Sequence, residues 1–214
     1  YYWRLAPNYD LTLTPTLATR RGLGGTAEFR HLQPEDEGRI QAHALPYDQT
    51  LSRPRSSLQV EHEGKTQAGL HYKAAWQSAS DNDYWKDFSG MLPSLTPRLL
   101  ARDLSARQTV PWASAQGEVY ARAQGWQVLQ NITDPVLSPY QRLPQLGTRW
   151  RGEVPGQLQW GLQTEYNRFT LQGQDQAAGD TRSDGHRLHA LASLQQTNDT
   201  GWAWLNPKAS LNTA

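Results

Sequence analysis

The sequence predicts an all-β chain, an antiparallel up-and-down transmembrane β-barrel of roughly ten strands. Three observations carry the prediction. Apolar and polar residues alternate with period two through much of the chain, as in strands with one oily and one wet face. Hydrophobic residues make up only 37% and mean hydropathy is −0.76, yet there are nine Trp and nine Tyr. Disordered chains lack such aromatics, whereas a membrane barrel has one polar face by design and aromatic girdles at its rims. No run of about 18 apolar residues occurs, which excludes a transmembrane helix and leaves strands.

In chain order, Leu11, Leu13, Pro15 and Leu17 alternate with Thr12, Thr14 and Thr16. Ala27 and Phe29 alternate with Glu28 and Arg30, and Ile40, Ala42 and Ala44 with Arg39, Gln41 and His43. Leu58 and Val60 follow, then Ala68, Leu70, Tyr72, Ala74 and Trp76 against Gln67, His71, Lys73 and Gln77. Val119, Ala121 and Ala123 form the next oily series. In QLQWGLQTEYNRF, Leu158, Trp160, Leu162, Thr164 and Tyr166 oppose Gln157, Gln159, Gly161, Gln163, Glu165 and Asn167. Leu188, Ala190, Ala192 and Leu194 close the list. Turn signals separate them: Pro7-Asn8, Arg21-Gly22, Pro34 to Gly38, Glu63-Gly64, Pro155-Gly156 and Asn198 to Gly201. The expected strands run about nine to eleven residues, enough to cross a bilayer at a tilt. Stretches 78–97, 130–145 and 170–184 read as irregular, and no helix of normal length can be written. A soluble antiparallel sandwich is the competing fold, but its inner faces usually carry bulky Val, Ile and Phe. Here the oily faces are Leu and Ala with Trp or Tyr near their ends.

A net charge of +1 argues against nucleic acid as a partner. There is no Cys, hence no disulfide or thiolate chemistry. The six histidines are scattered and yield no metal pair; His186 and His189, three apart, fall on opposite faces of a strand. No catalytic Ser-His-Asp order, phosphate loop or cofactor motif is present, so neither an enzyme nor a cofactor is expected. Asp83, Tyr84, Asp87 and Phe88 form an acidic and aromatic segment. It reads as a loop or plug element at one rim rather than an acid–base pair.

Specific blocks then appear in order. Tyr1-Tyr2-Trp3, Ala6-Pro7-Asn8, Asp10, Thr14-Pro15, Arg20-Arg21-Gly22 and Glu28-Phe29-Arg30 open the chain. Leu45-Pro46-Tyr47-Asp48, Ser80 to Phe88 and Pro139-Tyr140-Gln141-Arg142-Leu143-Pro144-Gln145-Leu146 follow. These blocks closely resemble the start of the barrel domain of the LptD family, the lipopolysaccharide-assembly proteins of the Gram-negative outer membrane. Residues 147–214 resemble it only as strands. The resemblance implies that 1–214 is a fragment of a single outer-membrane barrel domain. It implies lipopolysaccharide as cargo, the lipoprotein LptE as a plug, and a periplasmic Lpt bridge reached through a domain outside this chain. It also implies a lateral gate into the outer-membrane lipid, near Pro7 and Pro15. Proline has no N–H for the ladder, so Pro7 and Pro15 would weaken the seam and let it open; a tolerated edge or bulge proline is the competing reading of Pro15. Thr12, Thr14, Glu28, Arg30, Gln41 and His43, with Gln67, Lys73, Gln159 and Gln163, would face the lumen and line the cargo path. A hydrated lumen alone would explain any one of them. The other functions weighed are a porin-like diffusion channel and a soluble sugar-binding sandwich.

Overall fold

The computed structural model describes residues 1–90, 98–112, 115–131, 133–155, 158–171, 180–196, 198–199, 204–205 and 207–213. Its elements are β1 (Tyr2–Ala6), β2 (Tyr9–Ala18), β3 (Gly22–Leu32), β4 (Asp36–Asp48), β5 (Arg53–Lys65), β6 (Leu70–Ala79), the one-turn helix α1 (Tyr84–Asp87), β7 (Leu99–Trp112), β8 (Ala115–Val128), β9 (Gln141–Val154), β10 (Leu158–Thr170), β11 (Gly185–Gln196), the two-residue β12 (Asn198–Asp199) and β13 (Trp204–Leu205), and β14 (Lys208–Thr213). Twelve of the strands form one antiparallel sheet in the order β1 to β11, then β14; β12 and β13 pair separately. This is the up-and-down order that the period-two pattern predicts, in a partial barrel.

β2, β3 and β6 have 10 or 11 residues, as expected, whereas β7, β8 and β9 each have 14. Their alternation is interrupted where Gln108 sits on the oily face of β7 and Gly152 on that of β9, which hides both strands from a pattern search. β9 takes residues 141–145 of the expected irregular stretch 130–145. Gln67 and Ala68 lie in the turn before β6, not in a strand, because Gly69 takes a φ of 81° there. Of the expected turns, Gly156, Thr200 and Gly201 lie outside the described residues, as does Gln157.

The sheet is inside-out relative to a soluble protein. Cross-strand register carries Thr12 to Glu28, Gln41, Gln59 and Gln77 in one rung, and Thr14 to Thr26, His43 and Ser57 in the next. This polar face curls inward: His43 is 4% exposed, Gln59 5% and Asn167 4%. The opposite face carries Leu17 at 77% exposure, Leu104 at 47%, Leu162 at 40% and Leu188 at 67%. A sandwich would bury the second set and wet the first.

Hairpin connections alternate between two ends. At one end they span residues 7–8, 33–35, 66–69, 113–114 and 155–157. At the other they include the long segments 80–98, 129–140 and 171–184.

Candidate functional site

At the long-loop end, the segment after β6 folds back over the polar face of β3, β4 and β5. Its anchor is Arg55, whose side chain is fully buried. Arg55 grips Asp81 with two parallel bonds, Nη2 to Oδ1 at 2.8 Å and Nε to Oδ2 at 2.9 Å. Its Nη1 donates to Asp87 at 2.5 Å and lies 3.4 Å from Asp48. Arg21 donates to Asp48 and Asp87, at 2.6 Å each. Arg53 stands 3.4 Å from Asp81 at the rim. Three cations therefore face three carboxylates, so the burial of Arg55 is compensated. The planar guanidinium also lies over aromatic faces, 4.9 Å from the Phe88 ring and 5.5 Å from that of Tyr84.

Tyr84 is fully buried beside Ala79, Leu100 and Leu129, with Trp85 and Phe88 packed against the cluster. Its hydroxyl meets His43 Nδ1 at 2.5 Å and Ser57 Oγ at 2.9 Å. Burial pushes the Tyr84 phenol up to about 12. Burial pushes the Asp81 carboxyl upward too, but its bonds to Arg55 and Ser80 outweigh this and hold it below the usual carboxylate range. Ser80 Oγ donates to Asp81 Oδ2 at 2.8 Å, and Asp81 Oδ1 accepts the Asp83 N–H at 3.1 Å, so the turn is tied to the same carboxylate.

Of the four acidic and aromatic residues, Tyr84, Asp87 and Phe88 make the contacts with the sheet. Asp83 is not in the lock: it pairs with Lys86 at 3.1 Å and its side chain is 59% exposed. Asp81 holds the position instead, together with Asp48, Arg21 and Arg55; the first three fall within the motif blocks of the sequence, which give them no role, and Arg55 falls in none. His43 shares the polar face with Thr12, Thr14, Glu28, Arg30 and Gln41 but is roofed by Tyr84 and Phe88, the latter ring 4.9 Å away. Glu28 and Arg30 are tied into a chain of half-buried ion pairs, Asp10–Arg30–Glu28–Arg39.

Further round the polar face, a cavity of about 1120 Å³ is lined by Glu63, Lys73, Asp103, Arg107, Tyr120 and Arg122, among others. Tyr120 donates to Glu165 at 2.6 Å, and its ring lies where a side chain at Gly147 would otherwise stand. Gln59, Gln145 and Asn167 each hold a buried side-chain oxygen with no protein partner. Such acceptors suit water or sugar hydroxyls.

At the first edge, Pro7 lies in the turn between β1 and β2, and Pro15 faces outward opposite Gly25. The Leu13 N–H donates to the Tyr1 carbonyl at 2.7 Å, on the side away from β3. Period two turns position 15 to the same side. Pro15 therefore costs no bond to β3; it removes a donor from the outer edge.

A family model described as LPS transport system D, LptD, matches residues 53–214. It thus takes in 147–214, where the motifs gave only strands. The chain is 31% identical over 224 residues to LPS-assembly protein LptD of Albidiferax ferrireducens, covering 100% of this chain and 27% of that protein. It is 36% identical over 214 residues to the protein of the same name from Alkalilimnicola ehrlichii, covering 98% and 26%. With that of Chromobacterium violaceum the identity is 30% over 212 residues, covering 99% and 26%. The chain spans about a quarter of the length of these curated relatives.

Proposed function

The chain belongs to the LPS transport system D (LptD) family, and from that membership we propose that it forms part of the wall of an outer-membrane conduit for lipopolysaccharide. The observation that carries the reading is the inside-out sheet: a buried polar face against an exposed face of Leu, Val and Trp. Lipid on the outside and water on the inside satisfy both faces at once. The function is transport rather than catalysis. The sugar portion travels along the hydroxyl, amide and charged groups of the polar face. Thr12, Thr14, Glu28, Arg30 and Gln41 line its path near the first edge, where the acyl chains leave sideways into the bilayer.

The gate lies at that edge. Pro15 offers one hydrogen bond fewer to whatever strand lies along β2, so the seam there is weaker than the β2–β3 ladder. An open edge is not tolerated in lipid; further strands of the longer protein close the barrel. LptE fills the lumen as a plug, and a periplasmic domain outside this chain joins the Lpt bridge. Outer-membrane barrels have short periplasmic turns and longer external loops. The docked 80–88 segment therefore sits at the cell surface end, narrowing the exit, and the 33–35 and 66–69 turns face the periplasm.

Photo-crosslinking residues at Thr12 and Leu13 of the full-length protein in cells test this. Energy-dependent lipopolysaccharide adducts are expected at Thr12, on the polar face. Correct membrane insertion with no adduct at either position overturns the transport path and favours a simple diffusion channel.

A further inference from the structure

Three side chains at the short-turn end converge on the outward face. His31 lies near the end of β3, Asp36 opens β4, and His62 lies on β5. One donor atom from each falls within 4.8 Å of the others. His31 Nε2 and the Asp36 carboxylate are 2.8 Å apart, and the two imidazole centres 5.2 Å. Register explains how histidines on strands that are not neighbours can meet. His31 stands opposite Gly38, and Gly38 opposite His62. With no side chain on β4 between them, the rings close over the gap. A Cβ at Gly38 would overlap the His31 ring and come within 2.9 Å of His62 Nδ1. The Tyr72 hydroxyl lies 3.3 Å from His62 Nε2, which leaves Nδ1 turned toward the cluster.

We propose that His31, Asp36 and His62 form a binding site for a divalent transition-metal ion of the zinc class. Two imidazoles and one carboxylate are a donor set such ions take, and three protein ligands leave a position open for water or another oxygen ligand. Zinc sits about 2.0–2.2 Å from its nitrogen and oxygen ligands, so modest side-chain rotations from the present spacing suffice. The His31–Asp36 hydrogen bond already holds two donors together, with a proton where the ion would sit. Tyr72 is the outer partner that orients His62. The same rings belong to an outward aromatic row with Tyr9, Phe29 and Tyr72. A row of that kind needs neither the carboxylate at 2.8 Å nor the glycine gap.

The test uses the full-length protein with its partner, tags removed and metal stripped by chelation, titrated with ZnCl₂ in a calorimeter. Wild type is expected to bind one more equivalent than His31→Gln/His62→Gln. Co²⁺ should give visible absorption bands in wild type that the double variant lacks. If the double variant fails to fold, Asp36→Asn carries the test. It should weaken the site by more than the roughly 10–100-fold that loss of an outer partner costs. Equal zinc stoichiometry and affinity in wild type and in whichever folded variant is measured would overturn the proposal.

Discussion

Arg55→Ala should release the 80–88 segment from the barrel wall. The substitution removes both bonds that hold Asp81 and one of those that hold Asp87. Arg21 still pairs with Asp48 and Asp87, and Arg53 reaches Asp81 only at 3.4 Å. Each lost charge-assisted bond contributes about 1.5–3 kcal/mol, and the remaining partners offset part of the sum. Breaking a buried ion pair by deleting one partner costs roughly 3–5 kcal/mol. At about 1.4 kcal/mol per decade, the docked-to-undocked ratio should fall by between two and four orders of magnitude. Amide hydrogen exchange of the 80–88 peptide in the full-length protein reads this directly, since the Phe88 N–H to Tyr84 carbonyl bond at 2.9 Å protects only while the turn is formed. Exchange should accelerate strongly in Arg55→Ala and stay unchanged in Asp83→Asn, whose carboxylate lies outside the lock. Wild-type protection in a folded Arg55→Ala protein would refute the idea that Arg55 holds the segment.

The lock should also respond to acid. Asp81 is held below its unfolded value of about 3.9, so its contribution is complete above that value and is lost as pH falls through the lower, folded one. Protection of the segment, its exchange relative to the intrinsic rate at each pH, should therefore be flat from neutral pH down to about 4 and fall only below it; a loss of protection starting near pH 6 would contradict the assignment. Gly147→Val should displace the Tyr120 ring from its seat and strain its bond to Glu165. The expected cost is roughly 1–3 kcal/mol in barrel unfolding followed by heat-modified gel mobility, whereas Gly90→Ala, with nothing near its Cβ, should leave it unchanged. Leu104→Lys, on the outward face, should cost roughly 2–4 kcal/mol in a bilayer near its midplane; an equal stability of the two proteins in vesicles would place that face elsewhere.

Period two made most of the wall legible, because a half-wet sheet leaves its pattern in every strand that keeps it. Where the pattern lapsed, at Gln108 in β7 and Gly152 in β9, the strands could not be read. The polar face was legible as a set, since Thr12, Glu28 and Gln41 need only correct hairpin register to align. The lock was not. Tyr84 and Phe88 stood out as aromatics among acids, but Arg21 and Arg55 lie 66 and 32 residues from Asp87. Arg21 stands in a motif block and Arg55 in none, and nothing local names the partners of either. The His31–His62 meeting was hidden for the same reason: it depends on Gly38, a residue on a third strand, leaving a gap between two registers.

The central claim is that the Leu and Trp face meets lipid while the Gln and Glu face meets water. Spin labels at Gln159, Trp160, Leu162 and Gln163 of the full-length protein in bilayers test it, through collision with dissolved oxygen against a water-soluble nickel complex. Labels at 160 and 162 should be accessible to oxygen and shielded from nickel, and labels at 159 and 163 the reverse. Equal nickel access at all four positions, or shielding of 160 and 162 from both agents, would mean that the oily face of this strand does not touch lipid.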